Sequence, residues 1–192
     1  TKDEYKGLYQ LHNLGGGTAK TVFASIISRY QDPDGDLGIS DEGWEIAAKF
    51  LGNAHNIADG EDAVGSVING TYPMDEHWAS GVLTEQKDRD YKFQIMTPDI
   101  GEPYVVESLA ISAGTKKYDT CVAFLNWLGS SDVQLDWSNN YGTIPCQKEA
   151  LTQVSDDIKE LMETLKPQDL DWSFIAENVD AWVEKAELEY VQ

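Results

Sequence analysis

The stretch from Phe93 to Gly114, FQIMTPDIGEPYVVESLAISAG, cannot form one regular element. Pro98 and Pro103 lack a backbone donor and Gly101 between them favours a turn, so residues 98–103 interrupt any helix or strand. Short runs of strand-forming residues flank the break: Phe93, Ile95 and Met96 before it, then Val105, Val106, Leu109, Ala110 and Ile111, closed by Gly114. Glycines and turn residues crowd the upstream half, and amphipathic helical patterns fill the downstream half. These features predict an α/β unit over 5–97, a crossing at 98–103, and a mostly helical unit over 104–192 with a lone strand at Tyr104–Ile111. A lone strand makes no sheet, so the second unit is expected to need partners that this chain lacks.

Charge narrows the partners. The chain carries 34 acidic against 14 basic residues, a net charge of −20. Such a surface repels phosphate backbones and anionic membranes, so nucleic acid is not an expected partner. No apolar run approaches the roughly 20 residues that span a bilayer. Thr1-Lys2-Asp3-Glu4 is a polar start without the pattern of an export signal.

In the upstream half, Lys6–His12 reads as a strand and Gly15-Gly16-Gly17 as a turn. Thr18 is expected to cap a helix on which Val22, Phe23, Ile26, Ile27 and Tyr30 recur at helical steps. A strand, a glycine turn and a helix start can hold an anion, because unpaired N–H groups point out of a helix N-terminus. The sequence is not a nucleotide-binding phosphate loop, since Leu14 and Ala19 stand where that motif needs glycine. Asp32, Asp34 and Asp36 alternate as in the first half of a calcium loop, but Gly38 comes one place late and Gly43 occupies the place of the bidentate glutamate. A solvated turn is the other reading of that loop. Ser40 is expected to cap the next helix, with Trp44, Ala47, Ala48 and Leu51 as its buried stripe.

A short helix is predicted over Ala63–Ile68, Asn69-Gly70 as a turn, and a strand over Thr71–Met74. Asp75, Glu76 and Trp78 follow that strand, at the position where open α/β sheets commonly hold ligands. Tyr91–Met96 is read as the last strand of this half. Downstream, helices are predicted over Thr115–Leu128, Ser131–Trp137, Leu151–Leu165 and Trp172–Tyr190. Trp44, Trp127 and Trp182 lie on apolar stripes and are expected to be buried, and Val122, Leu125 and Leu128 with them. Cys121 and Cys146 have neither metal-clip nor redox-pair spacing, and whether they pair is open. The histidines at 12, 55 and 77 show no metal-ligand spacing, and no nucleophile elbow is present, so neither catalysis nor a metal site nor a cofactor is expected.

The order Pro98-x-x-Gly101-x-Pro103, a strand ending Leu109-Ala110-Ile111, the helix Ala123-Phe124-Leu125-Asn126-Trp127-Leu128, then Ser130–Gln134 and Tyr141-Gly142-Thr143-Ile144-Pro145 resembles the C-terminal half of extracellular solute-binding proteins of ABC importers. The group takes up ferric iron, polyamines, thiamine and phosphonate-type solutes. The resemblance implies a periplasmic-binding-protein-like fold of type II, with one complete α/β lobe and the helical C-terminal part of the other. It implies capture of a small solute between two lobes, delivery to a membrane permease and an extracytoplasmic location in a bacterium, periplasmic or lipid-anchored, with the export signal outside this chain. Ferric-binding members use adjacent tyrosines, and no such pair occurs here. Gly15, Gly16, Gly17 and Thr18 suit an anionic head group, which is slightly favoured, while Asp75, Glu76 and Trp78 suit a polyamine or other cation. Tyr141 is expected to face them from the other lobe. The incomplete lobe is expected to leave an apolar face through which the chain dimerises, unless a longer protein covers it.

Overall fold

The computed structural model describes residues 2–191. The chain divides into two units at His77/Trp78 and again at Gln168/Asp169. The boundary expected at 98–103 lies inside the second unit, and the C-terminal helix returns to the first.

Unit 1 is built on a parallel sheet of order β3-β1-β4, with β1 Tyr9–Leu11 in the centre, β3 His55–Asn56 on one side and β4 Met74–Asp75 on the other. Gln10 stands opposite His55 in one pairing and opposite Asp75 in the other. The crossover helices are α1 Gly17–Ile27, α2 Asp41–Asn53 and α3 Ala63–Asn69, the connections that parallel strands require. Ser40 caps α2 as its sequence predicts, accepting the Gly43 N–H at 3.3 Å. Gly70, at φ 79°, ends α3 in the left-handed region that glycine enters without steric cost. Thr18 is not a cap: Gly16 holds that position, with no side chain to accept the first N–H groups of α1.

The core of unit 1 joins Leu11 of β1, Phe23 and Ile27 of α1, and Trp44 and Leu51 of α2 to Ile175, Trp182 and Ala186 of the last helix, which spans Trp172–Glu189. That helix belongs here because its apolar stripe is the remaining cover for α1. Asp171 starts it, its carboxylate accepting the N–H groups of Ser173 and Phe174.

The acidic loop forms a short arm, β2 Gln31–Asp36, which turns at Leu37 and Gly38, with φ of 51° and 75°, and bridges to Ile39. Its carbonyls serve the core. Trp44 donates its indole N–H to Asp36 O at 3.0 Å, Asp32 accepts the Asp34 N–H within the turn, and Asp36 pairs with Lys185 at 3.1 Å.

Unit 2 is helical: α4 Ala79–Arg89, α5 Tyr118–Leu128, α6 Ser131–Tyr141, α7 Lys148–Leu151 and α8 Asp156–Thr164, so that the helix in unit 1 is α9. The single helix expected over Leu151–Leu165 breaks between Thr152 and Ser155, where Ser155 caps α8. Ala150, Val154, Ile158 and Leu161 are buried around this break.

Neither Tyr91–Met96 nor Tyr104–Ile111 is a strand, although both have strand-forming residues. A strand forms only where a neighbour receives its N–H and C=O groups, and unit 2 supplies one brief pairing. Glu102 donates its N–H to Lys166 O and accepts from the Gln168 N–H, each at 2.8 Å. Gly101, at φ 83°, makes this approach possible, since a Cβ there would lie 2.5 Å from Lys166 O.

The expected burial of α5 also fails. Val122, Leu125 and Leu128 are half-buried, and Phe124 and Trp127 are exposed. Cys121 and Cys146 are free thiols.

Candidate functional site

The carboxyl edge of the sheet in unit 1 gathers polar residues from two adjacent strands. Because β1 and β4 run parallel with Gln10 opposite Asp75, the register carried two residues on sets His12 level with His77. Side chains two apart share a face of a strand, so Gln10, His12, Asp75 and His77 converge although 63 residues separate His12 from Asp75 along the chain.

The side chains of Asp75 and His77 are 8% and 15% exposed, with Asp75 Oδ2 at 3.9 Å from His77 Nδ1. The rings of His12 and His77 lie 6.5 Å apart at 52°. Glu76 braces the edge by accepting the His12 N–H at 3.1 Å. Ligand atoms from His12, Asp75 and His77 all fall within 4.8 Å of one another. Burial pushes the Asp75 carboxyl up to about 6 and the Glu76 carboxyl up to about 7, because taking each charge out of water outweighs the opposing pull of His12 on Asp75 and of the His12 N–H on Glu76. Among the described residues, Gln10 Oε1, His12 Nε2 and Asp75 Oδ1 are buried with no hydrogen-bond partner.

Beside His12, a cavity of about 310 Å³ opens between the carboxyl ends of β1 and β3, with Asn13, Asn56, Ile57, Glu187 and Val191 among its lining residues. Its volume is at the lower end of the range for small-molecule pockets.

The residues singled out from sequence distribute unevenly. Gly15, Gly16 and Gly17 are exposed directly beyond β1, and Thr18 is half-buried in the first turn of α1. Asp75 ends the neighbouring strand and Glu76 follows it, at the carboxyl edge of the same sheet. Trp78, at 54% exposure, is not a core residue, and Tyr141 is exposed at the end of α6; both belong to unit 2. Sequence reasoning missed His12 and His77 as partners, because no local spacing relates residues on different strands. The available signal was that each histidine lies at, or just after, the end of a predicted strand.

Three comparisons place the chain. The profile of the bacterial extracellular solute-binding protein family matches residues 2–167. A probable ABC transporter periplasmic-binding protein of Sinorhizobium fredii is 33% identical over all 192 residues, which cover 53% of its own length. The ferric binding protein from Campylobacter jejuni superposes with a TM-score of 0.72 at 21% identity, over 98% of this chain and 60% of that one. This chain thus spans about half the length of the curated relative, and its fold is that of a periplasmic binding protein. With the family profile covering most of the sequence, the chain belongs to the bacterial extracellular solute-binding proteins.

Proposed function

We propose that this chain is part of the solute-binding component of an ABC importer, working outside the cytoplasmic membrane of a bacterium and passing a small polar solute to its permease. Family membership and the name of the Sinorhizobium fredii relative support the transport role. The reading involves capture and release, with no chemical step.

The observation that carries the site is the pair of buried carboxyls, Asp75 and Glu76, at the carboxyl edge of a parallel sheet. Burying two carboxyls side by side costs free energy, and a positively charged solute group offsets that cost. The solute is therefore one with a cationic centre. An anionic head group at Gly15–Thr18 is the second reading, supported by the glycine cap that leaves the first N–H groups of α1 without a side-chain acceptor.

A thermal-shift panel of cationic, anionic and neutral polar solutes tests this. A cationic solute is expected to raise the melting temperature of the wild type and to lose most of that shift in Glu76→Gln. A panel in which only anions stabilise, and Gly17→Val abolishes the effect, supports the second reading instead.

A further inference from the structure

We propose that His12, Asp75 and His77 together bind a divalent transition-metal ion of the zinc, cobalt, nickel or ferrous class. This names the solute class for the edge described above and rests on reading that edge as the binding site.

The donor set selects the metal. Two imidazoles and one carboxylate suit borderline ions that prefer nitrogen, whereas calcium and magnesium take oxygen ligands. Three protein ligands leave at least one coordination position open, the arrangement of sites that exchange what they hold. Spacing agrees with this choice. Ligand atoms about 2.1 Å from a common ion lie roughly 3 to 4 Å apart, so a cluster already within 4.8 Å closes by small side-chain rotations.

Two further observations point to an occupant. The Asp75 side chain is more than nine-tenths buried, yet its Oδ1 has no hydrogen-bond partner among the described residues, and His12 Nε2 is in the same condition. Buried polar atoms are nearly always partnered in folded proteins, so two unpartnered atoms of ligand-forming groups in one three-residue cluster point to an occupant, which a neutral His12 with its Nε2 lone pair free would help to bind. An ion accepts a lone pair from each. The backbone around the cluster is also fixed in advance: Glu76 holds the His12 N–H, and the β1–β4 pairing holds Asp75. Metal sites commonly rely on such outer supports.

His55 provides an internal control. It lies 2.8 Å from Glu61 on the surface, also a histidine beside a carboxylate, but it has no second imidazole. With a net charge of −20 the chain will attract cations weakly over its whole surface, so the test must separate site binding from that background.

The chain, stripped with a chelator, is titrated with cobalt(II) while its visible absorption is followed, and zinc(II) is then added in competition. One cobalt per chain, a d–d spectrum displaced by zinc, and zinc-induced shifts of the ring protons of His12 and His77 but not of His55 are expected. His12→Ala, His77→Ala and Asp75→Asn should each weaken binding by more than the roughly 10- to 100-fold that loss of an outer-sphere partner costs. His55→Ala should leave it unchanged. The proton shifts are read on the wild type, so the result stands even where a variant folds poorly. Absence of stoichiometric cobalt binding, or a spectrum that survives in His12→Ala and His77→Ala, overturns the metal site. If cobalt fails while an organic cation still stabilises the wild type through Glu76, the metal inference falls and the reading of the edge as a cation site stands. If neither binds, both fall.

Discussion

Trp182 donates its indole N–H to the carbonyl oxygen of Leu37 at 2.9 Å, joining residues 145 positions apart. Trp182 is fully buried, and Leu37 holds a left-handed backbone at φ 51°. The acidic arm is thus fastened to the last helix by a backbone carbonyl as well as by the Asp36–Lys185 ion pair. Trp182→Ala should cost about 3 to 5 kcal/mol through the cavity it leaves. Trp182→Phe should cost about 1 to 3 kcal/mol, because the Leu37 carbonyl loses its donor. Trp127→Ala, at an exposed ring, should cost about 1 kcal/mol or less. Urea midpoints of the three variants measure the order, and an equal loss from Trp127 and Trp182 contradicts it.

Sequence periodicity separated Trp44 and Trp182 from the solvent correctly and failed at Trp127, although all three lie on apolar helical stripes. A stripe records that a face is apolar, not that something covers it. The same limit explains Tyr104–Ile111, where strand-forming side chains meet no partner strand. Features settled within a few residues were legible, namely the Ser40 cap and the Gly70 stop, whereas the strand expected over Thr71–Met74 forms only at Met74–Asp75. The pairing of His12 with His77 was not, since it exists only once β1 and β4 lie side by side. The return of α9 to unit 1 was illegible for the same reason, the core of unit 1 being assembled from both ends of the chain.

Two glycines should respond in opposite directions to alanine. Gly142 adopts φ 68°, and a Cβ there would lie 2.8 Å from the Ser80 carbonyl oxygen, so Gly142→Ala should destabilise by about 1 to 3 kcal/mol. Gly52 sits within α2 with open space around its missing Cβ, so Gly52→Ala should stabilise by about 0.5 to 1 kcal/mol. Thermal melts of both variants check the signs.

Unit 2 leaves Val105, Val106, Leu109, Phe124 and Trp127 exposed. Apolar surface of this kind drives association. We expect the chain on its own to self-associate, and Phe124→Lys with Trp127→Lys to shift it toward monomer. Light scattering across a concentration series reads this directly. A wild type that stays monomeric at the highest concentrations argues against it.

Glu61 accepts the Ala58 N–H at 2.8 Å and lies 2.8 Å from His55 Nε2. The Ala58 bond, with the histidine second, holds its carboxyl below the ordinary value of 4.5. A carboxyl depressed in the folded state binds fewer protons than in the unfolded chain, so its contribution is present above 4.5 and is lost as pH falls through the depressed value. Glu61→Gln should therefore flatten the acid limb of the stability curve while leaving its slope above pH 7 unchanged. Urea midpoints from neutral pH to acid, compared with wild type, decide it. Parallel acid limbs would mean that the bonds of Glu61 do not bias its proton.

Trp78 separates a binding role from a structural one. It is 54% exposed at the N-cap of α4, whose first turn carries no side-chain cap bond from it. Losing an exposed ring removes little buried area, so Trp78→Ala should change the melting temperature only slightly, by an amount corresponding to about 0.5 kcal/mol. A solute cation that stacks on an indole gains about 0.5 to 2 kcal/mol from it, or roughly 2- to 30-fold in affinity. The expected outcome is therefore a solute affinity weakened within that range on a scaffold of near-normal stability, measured by calorimetry with the solute that the thermal-shift panel identifies. Unchanged affinity gives Trp78 no part in binding. A large fall in melting temperature would instead assign the ring a packing role in unit 2, and its exposure would then be a poor guide to what it does.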